Sequence, residues 1–414
     1  MIKKNIFLFL ISFILFIFFI PQIKGSPQNR VILGNENFLT HFPPALEGKR
    51  LGLVVNHTSV LPDGSHLLEK LKARKKNIKA IFSPEHGFKG LSEAGEKFKG
   101  RYFQGVKIHS LYKNNNKSIY KEIHNIDCLI YDIQDVGSRF YTYIHTLKLV
   151  LDTAAKVDIP VYILDRPNPA GGEIVEGPLM QEKYTSIIGV VPIPVRYGLT
   201  SGELALMMKG EGWVPSSVNL HIIKMKNWKR EYFWKDTKLN WIPPSPNIMT
   251  PETAIAYPGI GILSALNLNE GTGTFKPFLQ FGAPWLDSDL IIKALDNGKE
   301  FGIEMEAVKY VPSKLSGIAT NPIYENKLCR GIRIRIKKAP IFYSFRLGLA
   351  LIEILKSHYP EKISFNLNQI KKIFGSDLLL QYLQGDISYG EAMTRMEEEE
   401  RLFRNFRSKY LLYN

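Results

Sequence analysis

The chain has 414 residues, of which 45% are hydrophobic and 22% charged, an ordinary composition for a globular protein. Its formal net charge is +15, and the basic residues are dispersed along the chain rather than gathered in one recognisable motif. We therefore expect a solvated basic surface and no nucleic-acid partner. The length favours two domains, because a single hydrophobic core stops growing at roughly 250–300 residues.

The first residues have the order of a secretory signal peptide. Lys3 and Lys4 precede the apolar residues 6–20, and small residues follow. This apolar run is shorter than the roughly 20 residues that a membrane span needs. We predict a signal peptide over residues 1–25 and an exported protein, periplasmic or extracellular. An uncleaved signal segment would be its only contact with a membrane.

The first half of the remaining chain alternates apolar runs with stretches of helical spacing. Its strands are predicted at residues 50–55, 78–82, 128–131 and 160–164 and its helices at residues 66–75 and 139–157, whereas residues 190–241 are predicted to differ, with a strand-like piece that contains two prolines, a helix after Thr200 and a strand near residues 218–225. Nearly continuous apolar strands separated by helices indicate a parallel sheet that is covered on both faces. The predicted fold class is therefore α/β, with a Rossmann-like, doubly wound sheet.

A proline-rich segment marks the end of this pattern. Residues 241–247 cannot form regular structure, because proline fixes φ and lacks the N–H donor. We predict a Rossmann-like catalytic domain at residues 26–245 and a smaller α+β domain at residues 246–414 that completes a cleft. The second domain is predicted to contain a strand at residues 331–336 and an amphipathic helix at residues 342–356.

Polar side chains follow four of the predicted strands. In an open parallel sheet, ligands bind outside the carboxyl ends of the strands, so we expect an active site there. The side chains delivered to this edge are Asn56, His57, Glu85, His86, Asp132, Asp135, Arg139, Asp165 and Arg166. Structural alternatives exist for some of them: an ion pair between Asp165 and Arg166, and a helix cap for Asp135.

Motifs for several other chemistries are absent. No G-x-G-x-x-G follows the first strand, and no G-K-[ST] completes the glycine-rich residues 271–274. Neither G-x-S-x-G nor H-E-x-x-H occurs. Glycoside hydrolysis needs only carboxyl groups, one to protonate the leaving oxygen and one to assist from the other side. The strand ends supply such groups, and the sequence implies no cofactor and no metal.

Six segments of the chain form a recognisable set: GLVVNHT at residues 52–58, SPEHGF at 83–88, YDIQDVGSRFYTY at 131–143, LDRPNP at 164–169, PVRYGLT at 194–200 and FGAPW at 281–285. In these segments the chain resembles the NamZ/YbbC family of exo-β-N-acetylmuramidases. The resemblance implies a Rossmann-like domain, a smaller second domain and a cleft between them. It also implies release of N-acetylmuramic acid from the non-reducing ends of peptidoglycan-derived glycans.

The resemblance also suggests roles for single residues. The glutamate of the S-P-E-H-G motif, the family's proposed catalytic residue, falls on Glu85, which we expect to be the general acid. Asp132 or Asp135 would be the second carboxylate, orienting water or the acetamido group. The candidates for binding substrate are Arg139, Arg196 and Lys276 for the lactyl carboxylate, Tyr141, Tyr143 and Trp285 for sugar faces, and Asn56, His57, His86, Asp165, Arg166 and Glu270 for other contacts.

The chain departs from the family in one segment. Family members often read E-G-R-G-T-T-R-P-F where residues 270–278 read E-G-T-G-T-F-K-P-F, so Thr272 and Lys276 replace two arginines. Lysine cannot make the bidentate carboxylate contact that arginine makes, so if those arginines hold the lactyl carboxylate, we expect affinity or substrate choice to differ.

Two other functions are compatible with the same residues. One is a non-catalytic protein that binds peptidoglycan fragments in the cleft. The other is a metal-dependent hydrolase that uses His57, His86 and the aspartates, although their spacing fits no recognised metal motif. The sequence gives no indication of the oligomeric state.

Overall fold

The computed structural model describes residues 30–90, 102–112, 119–120 and 122–414. The predicted signal peptide lies outside these residues. Across the described ranges the strands are β1 Leu51–Val55, β2 Ile78–Ser83, β3 Tyr102–Phe103, β4 Val106–Ser110, β5 Cys128–Asp132, β6 Val161–Leu164, β7 Leu220–Ile223, β8 Gln280–Ala283, β9 Ile303–Tyr310 and β10 Cys329–Ile336. The first seven of these strands form one sheet and the last three form another.

The larger sheet has the strand order β3-β4-β2-β1-β5-β6-β7. Neighbouring strands in it are parallel, apart from the antiparallel pair of β3 and β4 at one edge. Every residue of β1, β5 and β6 is buried, which explains why these strands are continuous apolar runs. The predicted Rossmann-like parallel sheet is thereby confirmed.

Helices cover the sheets and fill the second domain. In the described part of the chain they are α1 Gly34–Thr40, α2 Leu67–Ala73, α3 Tyr143–Lys156, α4 Ser201–Gly210, α5 Pro251–Ile260, α6 Ser288–Ala294, α7 Ser344–His358, α8 Leu367–Phe374, α9 Leu378–Gln384 and α10 Tyr389–Arg407. Helix α4 begins where the sequence predicts, because the Thr200 side chain accepts from the Glu203 backbone N–H and Glu203 reciprocates as a capping box.

Helix α3 begins at Tyr143, later than the predicted start near Arg139. The backbone N–H of Arg139 donates to the carbonyl of Val195 at 2.8 Å, so this residue pairs with a neighbouring segment instead of starting the helix. Asp135 is therefore too far from the helix to cap it.

The second sheet is antiparallel and has the order β8-β10-β9. Strand β10 pairs with β9 along its whole length, and helix α7 buries its apolar face against α5. This arrangement confirms a smaller α+β unit after the Rossmann-like sheet. The proline-rich residues 241–247 are irregular, as predicted. No helix within the described ranges is both long and apolar enough to cross a membrane.

Candidate active site between the sheet edge and the second domain

The strand order of the larger sheet reverses at β1. The chain places β2 and β4 on one side of β1, and then β5, β6 and β7 on the other. A crevice opens at such a switch point outside the carboxyl ends of the strands, which is where open α/β sheets bind ligands. The loops after β1, β2 and β5 meet at this point.

Glu85 lies directly after β2 and is nearly buried. The hydroxyl of Thr142 donates a hydrogen bond of 2.6 Å to its Oε2. Tyr112, just beyond β4, also hydrogen-bonds this carboxyl group, and burial together with Glu85 raises the pKa of Tyr112. Two hydroxyl groups from different segments therefore fix the orientation of the Glu85 carboxyl group.

Two further carboxyl groups, those of Glu270 and Asp135, act on the same tyrosine as Glu85 does. Burial, and then the charges of Glu85, Glu270 and Asp135, raise the pKa of Tyr257 on helix α5. Burial also raises the pKa of Glu270 itself, against a hydrogen bond with Thr272. Three carboxyl groups from two domains are thus close enough to Tyr257 for their charges to act on it, and hydrolysis of a glycoside needs two such groups.

Asp135 has the environment of a functional carboxylate. Burial raises its pKa to about 6, while a hydrogen bond from the Tyr197 hydroxyl acts in the opposite direction. The backbone N–H groups of Val136 and Gly137 also hydrogen-bond this carboxyl group and lower its pKa. The Asp135 carboxyl group is therefore held in place by the Tyr197 hydroxyl and by two backbone N–H groups.

The proline-rich residues 241–247 run across the crevice and connect the two domains. Nε2 of His57 lies 2.7 Å from the carbonyl oxygen of Pro243, and the Tyr143 hydroxyl donates to the carbonyl of Pro244 at 2.7 Å. On the other side, the Asn247 side chain donates to the carbonyl of Ile318 in the second domain. The segment is therefore held to both walls of the cleft.

Asn56 and three tyrosines form a fixed wall of the site. The Asn56 amide donates to the Tyr143 hydroxyl at 3.0 Å, and Tyr143 packs edge-on against Tyr141 with ring centroids 4.7 Å apart. Tyr141, in turn, packs against Tyr257. The three rings are fixed by one another and by Asn56, so Tyr141 and Tyr143 support the wall of the site.

A cavity of about 170 Å³ is lined by His86, the residue that follows Glu85. Its walls come from both domains, and they consist of His86, Pro246, Asn247, Thr272, Ile318, Ala319, Asn321 and Pro322. His86 adopts a left-handed backbone conformation, with φ of 66°. This turn directs the chain away from β2 and places His86 at the cavity. We take this cavity as the candidate substrate site.

A larger cavity of about 230 Å³ lies on the other side of residues 241–247. Thr58, Gln134, Arg166, Trp234 and Ile242 are among the residues around it. The charged groups there are already paired, since Arg166 binds Asp132 and Asp63 binds Lys70. The smaller cavity is the better candidate for catalysis, because it is lined by His86, the residue after Glu85, and by Thr272, which hydrogen-bonds Glu270.

Asp132 and Arg166 form a buried ion pair. Nε of Arg166 lies 2.5 Å from Oδ1 of Asp132, and the Asn35 amide donates to Oδ2 at 3.1 Å. Both Asp132 oxygens are thus occupied by protein groups. The structure corrects two expectations: Asp132 is not placed to be the second catalytic carboxylate, and Arg166 pairs with Asp132 rather than with Asp165.

At the opposite end of the sheet edge, both carboxylate oxygens of Asp165 accept hydrogen bonds from protein groups. Its Oδ2 accepts from the hydroxyls of Thr200 and Tyr413, and its Oδ1 accepts from the backbone N–H of Gly202. Burial raises its pKa to about 6. Asp165 therefore anchors helix α4 and the end of the chain, and it does not face the cavity.

The two predicted arginines also serve the structure rather than a substrate. Arg139 is buried, and its Nη atoms donate to four backbone carbonyls, those of Pro178, Ile193, Ile373 and Phe374. Arg196 pairs with the buried Glu176 at 3.0 Å and donates to the carbonyl of Phe342. Both guanidinium groups join the domains, so neither is available for a lactyl carboxylate. Lys276 is exposed, and it remains the accessible cation of the predicted set.

Comparison with known proteins identifies the family. The profile described as "Exo-beta-N-acetylmuramidase NamZ, N-terminal" matches residues 51–252, and the corresponding C-terminal profile matches residues 255–413. The chain belongs to the NamZ family. It is 33% identical over 427 residues to "Peptidoglycan beta-N-acetylmuramidase NamZ" of Bacillus subtilis strain 168, which covers 99% of the chain and 100% of that protein. The predicted resemblance and the glycoside hydrolase class are confirmed.

Solved structures of the same architecture come from Bacteroides fragilis NCTC 9343. Two proteins described as DUF1343 family members superpose on the chain with TM-scores of 0.85 and 0.75. They are 29% and 32% identical to it, and each match covers 93% of the chain and 99% of the other protein. The NamZ fold of the chain is therefore shared over nearly its whole length.

Sequence reasoning missed several residues of this NamZ site. Thr142 and Tyr112 contact Glu85, Tyr257 lies among the carboxyl groups, and Asn247 lines the cavity. Thr142 lies within the matched segment at residues 131–143, so its position was a usable signal. Tyr257 has no such signal, because only the packing of α5 against the first domain brings it to Glu85.

Proposed function

We propose that the chain is an exo-acting glycoside hydrolase that releases N-acetylmuramic acid from the non-reducing ends of peptidoglycan fragments. Its membership of the NamZ family supports this activity. The observation that carries the proposal within the structure is the position of Glu85, nearly buried at the cleft and held by two hydroxyl groups. The physiological role that fits is the turnover and recycling of cell-wall glycans.

In the proposed mechanism Glu85 is the general acid. Its proton passes to the glycosidic oxygen while the bond from that oxygen to the anomeric carbon breaks. Asp135 is the second carboxylate and orients the group that attacks the anomeric carbon, because Asp132 is already paired with Arg166. Glu270 lies in the same cluster and is the third carboxyl group that a substrate would meet.

Substrate selection is proposed to depend on charge. N-acetylmuramic acid differs from N-acetylglucosamine by a lactyl ether that carries a carboxylate. Lys276 is the exposed cation on the loop that follows Glu270, and His86 lines the cavity. Losing a hydrogen bond to a charged group costs roughly 1.5–3 kcal/mol, so the chain should strongly prefer a muramyl glycoside over the matching glucosaminide.

The decisive experiment compares the wild-type chain with Glu85→Gln on a chromogenic β-N-acetylmuramide. Gln keeps the shape of the side chain but cannot transfer the proton, so turnover should fall by about 10²–10⁴-fold with an unchanged melting temperature. Glu306→Gln, an exposed glutamate on β9, is the matched control. Near-normal turnover by a well-folded Glu85→Gln would move the catalytic role to Asp135 or Glu270.

The same assay separates the two other functions. A non-catalytic binding protein would bind the glycoside without releasing the chromophore. A metal-dependent hydrolase would lose activity in the presence of a chelator and regain it when the metal is restored. Equal rates on the muramide and on the glucosaminide would contradict the proposed selectivity.

Export is a separate part of the proposal. The charged start and the apolar residues 6–20 support a mature protein that begins near residue 26 outside the cytoplasm. N-terminal sequencing of the protein from its native host tests this. Material that still begins at Met1 or Ile2 would contradict cleavage.

A further inference from the structure

The loop of residues 271–277 projects from the candidate active site with a fixed base. The backbone N–H of Phe278 donates to the carbonyl of Glu270 at 2.8 Å, which closes the loop next to that carboxyl group. The Phe278 ring packs edge-on against Tyr257, with centroids 4.8 Å apart. The base of the loop therefore belongs to the carboxyl cluster around Tyr257.

The loop is also held along its length. Gly273 has φ of 78°, and a Cβ at this position would lie 2.7 Å from Pro322 and 2.8 Å from the carbonyl oxygen of Ser313. The backbone N–H of Ser313 donates to the carbonyl of Gly273 at 2.9 Å. The loop thus packs at Gly273 against Pro322, which lines the cavity, and against Ser313.

The tip carries an aromatic side chain that faces solvent. Phe275 is 77% exposed, the highest value among the exposed large hydrophobic residues in the described ranges. It lies three positions beyond Thr272, which lines the cavity, and Ile323, next to Pro322 of the same wall, is also exposed. Phe275 and Ile323 are thus exposed apolar side chains within three positions of residues that line the cavity, and we call this pair the apolar rim.

An exo-acting enzyme leaves most of its substrate outside the enclosed site. The terminal sugar must enter the cavity, so the rest of the glycan leaves through the open side and passes over the rim. A pyranose ring presents C–H groups on its faces, and these pack well on the face of an aromatic ring.

We propose that Phe275 is a stacking platform for the leaving-group part of the glycan, and that it selects oligosaccharides over the shortest substrates. This inference rests on the proposed function, because it assigns a subsite to the same cleft. Phe275 contributes binding and no chemistry, so its contribution should appear in KM and should grow with the length of the glycan.

The test uses the full-length mature chain and two substrates. One is the disaccharide of N-acetylmuramic acid and N-acetylglucosamine, and the other is the tetrasaccharide of the same repeat. Release of N-acetylmuramic acid is followed by chromatography. The ratio of kcat/KM for the tetrasaccharide to that for the disaccharide should fall by roughly three- to ten-fold in Phe275→Ala. Phe275→Trp should retain the wild-type ratio, because it keeps an aromatic face.

Phe406→Ala is the matched control, since Phe406 is also an exposed phenylalanine but lies on helix α10. It should leave both rates at their wild-type values. An unchanged ratio in Phe275→Ala, or an equal loss on both substrates, would overturn the platform. Failure of the wild-type chain to cleave either glycan would instead overturn the proposed function, so the two failures are distinguishable.

Discussion

The hydroxyl of Thr142 donates a 2.6 Å hydrogen bond to Oε2 of Glu85, across 57 positions of the chain. Thr142 precedes helix α3, and its side chain makes no helix-capping bond. The hydroxyl is therefore committed to the carboxyl group and not to the helix. Thr142 is a positioning residue, because it acts on the substrate only through Glu85.

Replacing Thr142 by valine should lower kcat about tenfold with little change in KM. The branched shape is kept while the hydrogen bond is lost, and a hydrogen bond to a charged group contributes roughly 1.5–3 kcal/mol. Steady-state kinetics on the chromogenic muramide measure both constants. Thr142→Ser restores a hydroxyl and should recover most of the rate. If Thr142 had a purely structural role, Thr142→Val and Thr142→Ser would shift the melting temperature equally, and serine would not recover the rate.

Local patterns in the sequence predict the first domain well. The apolar runs of β1, β2, β5 and β6 and the Thr200 cap of α4 are found where they are predicted, because burial on both faces and a capping box leave clear local signals. Strands β8 and β9 were not predicted. Strand β9 is half exposed, and its pairing with β10 is a long-range contact that a local pattern does not contain.

The candidate site shows the same limit. Polarity at the strand ends predicts Glu85 and Asp135 at one edge, since parallel strands end there, and the charges of both groups act on Tyr257. It does not distinguish them from Asp132 and Arg139, which occur in the same loops but bind protein groups. Only the packing of neighbouring segments decides which of these polar side chains faces a ligand.

The buried pair of Asp132 and Arg166 should be essential for stability. Arg166→Met removes one partner and leaves a carboxylate in the interior, which typically costs about 3–5 kcal/mol. Unfolding in urea, followed by circular dichroism, measures this loss. The double variant Arg166→Met/Asp132→Leu should regain part of it, because no unpaired charge remains.

Arg395→Met is the matched control for this measurement. Arg395 pairs with Glu391 on the surface of α10, where both side chains are about half exposed. Such pairs contribute roughly 0.2–1 kcal/mol, so the control should unfold almost like the wild-type chain. Similar losses in Arg166→Met and Arg395→Met would contradict a structural role for the buried pair.

Gly90 should be required for the position of His57. Its φ is 66°, and a Cβ there would lie 2.0 Å from the His57 ring. Gly90→Ala must therefore displace the ring or the loop, and we expect lower stability together with reduced turnover. Gly64→Ala separates the two causes, because Gly64 has φ of 81° but open space around it. Gly64→Ala should lower the free energy of unfolding by only the roughly 1–2 kcal/mol that a left-handed residue costs, and its activity should be normal.

The pH dependence of the reaction should report on Asp135. Burial raises the pKa of this carboxyl group to about 6. In the proposed mechanism Asp135 acts as a carboxylate, so kcat/KM should fall as the pH decreases through about 6 and the group becomes protonated. Asp135→Asn should lose most of the activity, and the residual rate should lack this acidic limb.

Tyr197 provides a sharper test of the same assignment. Its hydroxyl donates to Asp135 and so holds the pKa of Asp135 lower than burial alone would. Tyr197→Phe removes this donor, so the pKa of Asp135 should rise and the acidic limb of kcat/KM should move to higher pH. Tyr184→Phe is the control, because the Tyr184 hydroxyl donates in the same way to Asp377, far from the cavity in the chain's second domain. Tyr184→Phe should leave the acidic limb of kcat/KM at the same pH as in the wild-type chain. An acidic limb that does not move in Tyr197→Phe would mean that a group other than Asp135 controls it, and the second catalytic role would pass to Glu270.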